Sequence, residues 1–335
     1  MVKKVSHAAP DVRPLLRRAH RIVNAGEGEY AFTDLRRTKL GNVQTRQFRL
    51  FTPVSRPRMR LPTALPEFTE LRHMANLSDS PVTVAAHLGG HWTDHNLAAI
   101  THVAACNFRC SYCYVDYTHL AGADHFVASA DAVVAEFVAL REALLRTGRR
   151  LNLLRISGGE PLLAPSLVFE IHHALAVRDL LDSVVLKVES NLSTLAYAWR
   201  LSGAHPAARD PAAIRGIKLH TTLHHPPDSR EWPAIRDGLA LAIEIGLDVY
   251  PAIGASDWTA TQLESLYAEL VRISTGLPRR LAVRPFHLDY PALADRRRLP
   301  QPGPGEAPSV TWEGILRRHA GVGYLAMPRH LVPLT

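Results

Sequence analysis

The sequence predicts an α/β protein built on a partial (β/α)6 barrel of TIM type, and three observations carry that expectation. From residue 96 onward, short apolar runs alternate with stretches that repeat apolar residues at helical spacing, the pattern of βα units around a parallel sheet. Six such runs occur before residue 290. The unusual polar clusters of the chain then fall just after these runs, at the C-terminal strand ends where barrels of parallel strands carry their active sites.

Composition sets the outer bounds. With 335 residues, 47% hydrophobic and 21% charged, the chain is an ordinary globular sequence able to bury a substantial core. It has no uncharged apolar run of about 18 residues, so no transmembrane helix and no membrane partner are expected. Met1 to His7 are basic but lead into charged sequence, which argues against a secretory signal and for a cytoplasmic protein. Three cysteines without a fourth make a poor disulfide framework, in keeping with a reducing compartment. Much of the net charge of +8 sits early, in arginines such as Arg13, Arg17, Arg18, Arg36, Arg37, Arg56 and Arg60. Such a surface could meet nucleic acid or an acidic partner. A solvated arginine-rich face is the favoured reading, because no nucleic-acid motif or interleaved aromatic pattern accompanies the charge.

Taken in order, residues 1–95 form a basic extension, 96–290 the core and 291–335 a C-terminal tail. In the extension, residues 12–24 suit a short basic helix ending near Asn24 and Gly26. Residues 45–51 alternate polar and apolar as a half-buried strand does, and Pro53, Pro57, Pro62 and Pro66 then punctuate an extended segment. Such a region is expected to wrap on the core and to serve recognition of a substrate or carrier protein. In the core, strands are expected at 97–103, 151–156, 184–188, 217–223, 248–253 and 281–286, with helices at 130–146, 165–181, 235–245 and 259–274. Pro300 to Gly305 read as a linker and residues 311–318 as a short closing helix.

Every cysteine lies in one stretch, Cys106-Asn107-Phe108-Arg109-Cys110-Ser111-Tyr112-Cys113-Tyr114. Three thiolates at this spacing can ligate three corners of a [4Fe-4S] cluster and leave one iron open. Two other readings stand beside it. The cysteines, at i, i+4 and i+7, would be small hydrophobes on one helix face, or His102 or His119 would complete a zinc site.

The nonapeptide resembles the signature of the radical S-adenosylmethionine (radical SAM) superfamily, where an aromatic residue, here Tyr112, precedes the last cysteine. A second mark follows in Ser157-Gly158-Gly159-Glu160-Pro161, which is similar to that family's GGEP motif. The resemblance implies a partial barrel over residues 95–290, a [4Fe-4S] cluster on Cys106, Cys110 and Cys113, and S-adenosylmethionine (SAM) chelating the open iron. It further implies SAM contacts from Tyr112 and from Ser157 to Pro161, with the two glycines admitting their backbone carbonyls to the SAM ammonium. At the other strand ends Asn191, Thr221 or Thr222 would meet the ribose and Arg284 the carboxylate; strand-end polar residues meeting solvent are the alternative.

The implied chemistry begins with one electron from a flavodoxin- or ferredoxin-like donor. The S–C5′ bond of SAM breaks and a 5′-deoxyadenosyl radical takes hydrogen from an unactivated carbon, while the protein orients the substrate and excludes water. With no cysteine outside the triplet, thiol-dependent radical quenching, SPASM or Twitch auxiliary clusters and methylcysteine chemistry are not expected. Elimination, rearrangement, decarboxylation and bond formation stay open. Tyr250 or Tyr290 would quench a radical in place of a thiol, although a tyrosine at a strand end is more often core. His220, His224, His225 and His287 are second-rank acid–base groups. The substrate expected is a small or medium-sized metabolite, with natural-product biosynthesis as the expected setting. A peptide presented by the extension, and a non-catalytic iron-sulfur protein binding nucleic acid, are the alternatives.

Overall fold

The structure is a computed structural model that describes residues 19–34, 37, 52–55, 84–90, 97–146, 148, 150–197, 214, 216–254, 258–284, 291–293, 296, 307–323 and 329–334. In chain order its strands are β1 (Asn24–Gly26), β2 (Glu29–Thr33), β3 (Thr52–Ser55), β4 (Leu97–Val103), β5 (His125–Ser129), β6 (Leu153–Gly158), β7 (Val185–Ser190), β8 (Ile217–Thr222), β9 (Asp248–Gly254) and β10 (Ala282–Arg284). The longer helices are α1 (Ala130–Leu145), α2 (Pro165–Ala176), α3 (Trp232–Glu244), α4 (Ala260–Ile273) and α5 (Pro308–Ala320).

All ten strands join one sheet, ordered β1-β2-β4-β6-β7-β8-β9-β10, with β3 on β4 and β5 on β2. The six strands β4, β6, β7, β8, β9 and β10 are parallel and follow one another in chain order. Right-handed crossovers that never reverse direction put every connecting helix on the same face. The packing agrees. Leu154 and Ile156 of β6, Leu186 and Val188 of β7, and Leu219 of β8 share one core with Phe137 of α1, Ile171 of α2 and Ile235 of α3. The protein is therefore α/β with a mostly parallel central sheet, and an order without reversal is compatible with a partial α/β barrel. On the opposite face a smaller cluster of Val84, Ala98, Ile100, Leu153 and Val185 fills the N-terminal end of the strands. Beyond it that face turns polar.

The helices begin and end where their sequences provide partners. Ser129 accepts a hydrogen bond from the Ala132 N–H at the start of α1, and Thr259 and Gln262 form a reciprocal capping box on α4. The helix expected over 165–181 stops at Ala176, because Asp179 takes a left-handed conformation (φ 53°) and the Leu180 N–H turns back to the Leu175 carbonyl. The closing helix is longer than expected, 308–320, and left-handed Gly321 ends it.

The extension is more closely built into the sheet than a wrapping segment. Residues 19–23 are helical and run into β1, and the rest of the helix expected over 12–24 lies outside the described residues. β2 and β3 then share the outer edge of β4, with β3 antiparallel along Leu97 to Ile100 and Phe32 of β2 opposite Val103. β2 also pairs with β5 through five residues. Neither the β1–β2 hairpin nor β5 was expected: each run is too short to show a period, and β5 leads directly into α1. The strand expected over 45–51 lies outside the described residues, and β3 follows it in the proline-punctuated stretch. Within the core, β6 begins two residues later than expected and runs on through Gly158, whose backbone pairs with Val103. Of the last strand, Ala282–Arg284 is described.

Phe137 is fully buried between α1 and the sheet. Phe137→Ala removes an aromatic ring from a close-packed core and is expected to cost about 3–5 kcal/mol of unfolding free energy, read from the shift in urea midpoint.

Candidate functional site

β4 delivers the chain to the cysteine loop, and the loop is pinned by its own backbone rather than by helical bonding. The Cys106 N–H donates to the Leu120 carbonyl at 3.1 Å, and the Cys113 N–H to the Cys110 carbonyl at 3.1 Å. None of the three cysteines lies in a helix, so the helix-face reading of their spacing is corrected: the interval spans an irregular loop. Arg296 clamps this loop from the tail. Its guanidinium lies 3.3 Å from the Tyr117 ring centroid and donates to the Val115 carbonyl at 2.9 Å.

The turn after β6 docks on the same loop. The Gly159 N–H donates to the Val103 carbonyl at 3.1 Å and the Glu160 N–H to the Ala105 carbonyl at 2.7 Å, one residue before Cys106. This approach leaves no room for side chains. A Cβ on Gly159 would stand 2.0 Å from the Ala105 oxygen, and one on Gly158, whose φ is +85°, would stand 2.4 Å from the His102 Cβ.

Glu160 is spent on architecture. It is buried, and its Oε1 accepts from the Leu162 N–H at 2.9 Å and the Ser190 hydroxyl at 2.6 Å while Oε2 accepts from the Asn191 N–H at 2.6 Å. Burial pushes its pKa up to about 7 against the pull of these three donors. Pro161 opens the short 3-10 turn that Glu160 caps. Asn191 faces the cysteines instead of open solvent: its Nδ2 donates to Asn107 Oδ1 at 3.0 Å and lies 3.8 Å from Cys106 Sγ, and its Oδ1 accepts from the Ser193 N–H at 3.0 Å.

The sulfurs share a donor-rich, half-buried surround. The Phe108 N–H points at Cys106 Sγ at 3.3 Å, and His224 Nδ1 lies 3.5 Å from Cys110 Sγ while also contacting the Tyr112 hydroxyl. The His224 and Tyr112 rings stack at 5.7 Å. Burial raises the pKa of all three thiols, that of Cys110 to about 12; the Val115 N–H and the Arg296 charge pull Cys113 the other way. Without a metal they are therefore neutral thiols, and loading one would release protons. His102 and His119, the two zinc-completing candidates, turn elsewhere. His119 faces Asp116 at 3.5 Å, and His102 packs on Gly158 and edge-on to Tyr114. Among the described residues no three His, Cys, Asp or Glu side chains converge at single-ion distances. The donor set of three thiols under N–H groups nevertheless suits an iron-sulfur cluster, whose ligands attach at separate corners.

From the loop a polar chain descends onto the inner face of the sheet. Tyr114 OH lies 2.7 Å from Ser157 Oγ, which donates to Glu189 Oε2 at 2.6 Å; Glu189 also takes ion pairs from Arg155 and, at 3.1 Å, from Lys187 Nζ. These two cations, ahead of the bonds from Ser157 and Arg155, hold the Glu189 carboxyl well below its ordinary range despite burial. Ser157 is thus brought to the site as expected, but as a link between strands. Tyr114, Arg155, Lys187, Glu189 and Arg296 had not been singled out for a role. The signal available for three of them was alternation, since Arg155-Ile156-Ser157 and Lys187-Val188-Glu189 put a polar or charged side chain on every second residue.

The remaining expectations divide. Thr221 is buried in a strand whose alternate residues Ile217 and Leu219 face the helices, and its hydroxyl has no hydrogen-bond partner among the described residues. Thr222 and Arg284 are half-buried on the inner face. Tyr250 is buried and donates to Asp248 at 2.9 Å, stacked on His220 at 4.9 Å. His225 packs edge-on to Phe108 at 4.9 Å. His287 and Tyr290 lie outside the described residues. No model of a known protein family and no curated protein matches this chain.

Two outcomes test this geometry. Gly159→Ala is expected to lower stability by about 3 kcal/mol or more in urea unfolding, because backbone rather than a movable side chain blocks the new methyl. His102 is buried neutral, its pKa pushed by burial down to about 4. The unfolded chain therefore binds more protons between about pH 6.5 and 4, and the ring's contribution, on the order of 3 kcal/mol, is full above that window and lost as pH falls through it. Glu160, raised to about 7, acts in the opposite sense, losing its share as pH rises from the ordinary carboxylate range. Urea unfolding at stepped pH should show a shallower acid loss in His102→Met than in wild type.

Proposed function

We propose that the chain is a radical SAM enzyme, with the six parallel strands as a partial (β/α)6 TIM-type barrel and the loop after β4 as its cluster loop. The observation that carries this reading is the backbone docking of Gly159 and Glu160 on Val103 and Ala105, which joins two motifs far apart in sequence at one set of strand ends. Cys106, Cys110 and Cys113 would hold a [4Fe-4S] cluster, and the backbone at Gly158 and Gly159 would receive SAM. When bound, this pair supplies reductive cleavage of SAM to a 5′-deoxyadenosyl radical that abstracts hydrogen from the substrate.

The chain's own residues do the rest. Asn191 Nδ2 and the Phe108 N–H direct donors at Cys106 Sγ, which steadies a thiolate that burial alone disfavours, and His224 packs against Cys110 Sγ. Glu160 fixes the glycine turn to the end of β7 without facing the reactants. Arg296 and Tyr117 hold the outer side of the loop. A metabolite-sized substrate in natural-product biosynthesis and a flavodoxin- or ferredoxin-like electron donor, in a cytoplasmic setting, complete the proposal. Among the described residues no helix is long and apolar enough to cross a membrane.

Anaerobic reconstitution with iron and sulfide, followed by dithionite and SAM, tests it. 5′-Deoxyadenosine should form with the wild-type chain and not with Cys106→Ala/Cys110→Ala/Cys113→Ala; equal turnover by both would overturn the assignment.

A further inference from the structure

The interior of a parallel-strand barrel is ordinarily filled by Val, Ile and Leu, yet the inner face of this sheet carries charge. Arg155, Lys187, Lys218 and Asp248 occupy one row of the register, and His102, Ser157, Glu189, His220 and Tyr250 the next. Two carboxylates each serve two cations. Asp248 takes Lys218 at 2.6 Å and Arg280, and Arg280 in turn donates to the Val332 carbonyl at 2.7 Å. Both carboxylate side chains stay partly open, Glu189 at 26% exposure and Asp248 at 25%, so solvent reaches the inner face beside Arg155 and Lys187.

Next to it stands His220. The ring is 4% exposed, packs flat on Tyr250, and has neither nitrogen hydrogen-bonded among the described residues. Burial first, and then the charges of Lys187, Arg284, Arg329 and Arg155, hold its pKa well below the ordinary value. A neutral imidazole here keeps one N–H to donate, beside the side chains of Lys187 and Arg155. A buried ring left without a hydrogen bond costs stability unless an acceptor arrives.

We propose that Arg155, Lys187 and His220 form a receptor for an oxyanion group, carboxylate or phosphate, of the substrate, which makes the substrate class a small acidic metabolite. The Glu189–Ser157–Tyr114 chain ties this receptor to the residue after Cys113, so an acidic end held here lies beneath the cysteine loop. The word substrate rests on the radical SAM reading; the anion site does not. Neither reading requires the other to bind its ligand.

The test is thermal unfolding of the full-length protein at constant ionic strength, titrated with succinate, inorganic phosphate and neutral succinamide. Wild type should show a saturable rise of about 3–5 °C with succinate or phosphate and none with succinamide. Lys187→Gln and His220→Gln should each lose most of it, and the triple cysteine variant should keep it. The two single variants guard against one failing to fold. Absence of a saturable rise, or an equal rise in wild type and both variants, overturns the receptor. Competition of succinate by SAM in unreconstituted protein would assign the site to the SAM carboxylate and overturn the substrate class. Anion binding without SAM cleavage in any sample would sink the radical SAM reading alone.

Discussion

A close approach of two backbone segments sets the arrangement of the site around it: the turn after β6 lies against the backbone that leads out of β4, at a separation only a residue without a side chain allows. Two hydrogen bonds fix this contact, and each joins a main-chain donor of the turn to a carbonyl just ahead of Cys106. Because backbone meets backbone, neither partner can swing aside. The cysteine loop therefore takes its position from the parallel sheet itself, and the third strand is drawn in by Glu160, whose carboxylate gathers donors from the end of β7.

Two glutamates act as joints in opposite electrostatic conditions. Glu160 is bonded to neutral donors and, among the described residues, to no cation, so burial dominates and its proton is held more tightly. Glu189 lies one strand pairing away between Arg155 and Lys187, and there the two cations outweigh the same penalty. One joint serves the strand ends and the other the inner face. Together they separate a hydrogen-bonded rim, where the sulfurs sit, from a cationic floor.

Much of this architecture was legible in the sequence, for physical reasons that can be named. The six parallel strands are apolar runs flanked by helices whose buried face repeats at 3.6 residues, and that period survives in Val133, Phe137 and Leu140. The cysteine and glycine motifs were legible because few other arrangements use those residues at that spacing. β1, β2 and β5 were not, since three to five residues cannot display a period and their pairing is long-range. The bonding of Glu160 within the fold was hidden for a similar reason. A carboxylate in a motif suggests a ligand contact, and only the fold brings Ser190 and Asn191 to it. The clamp by Arg296 joins residues so distant in the chain that no local pattern could announce it.

The chain-order succession of the parallel strands has a consequence for how the site is made. The three thiols leave the ribosome well ahead of the glycine turn, further ahead of Asn191 and His224, and last of all comes Arg296. During synthesis the sulfur-bearing segment is thus a bare tether, and each later strand adds one more wall to its enclosure. Any group those thiols were to hold would either wait for the final arginine or be inserted while the shelter is unfinished.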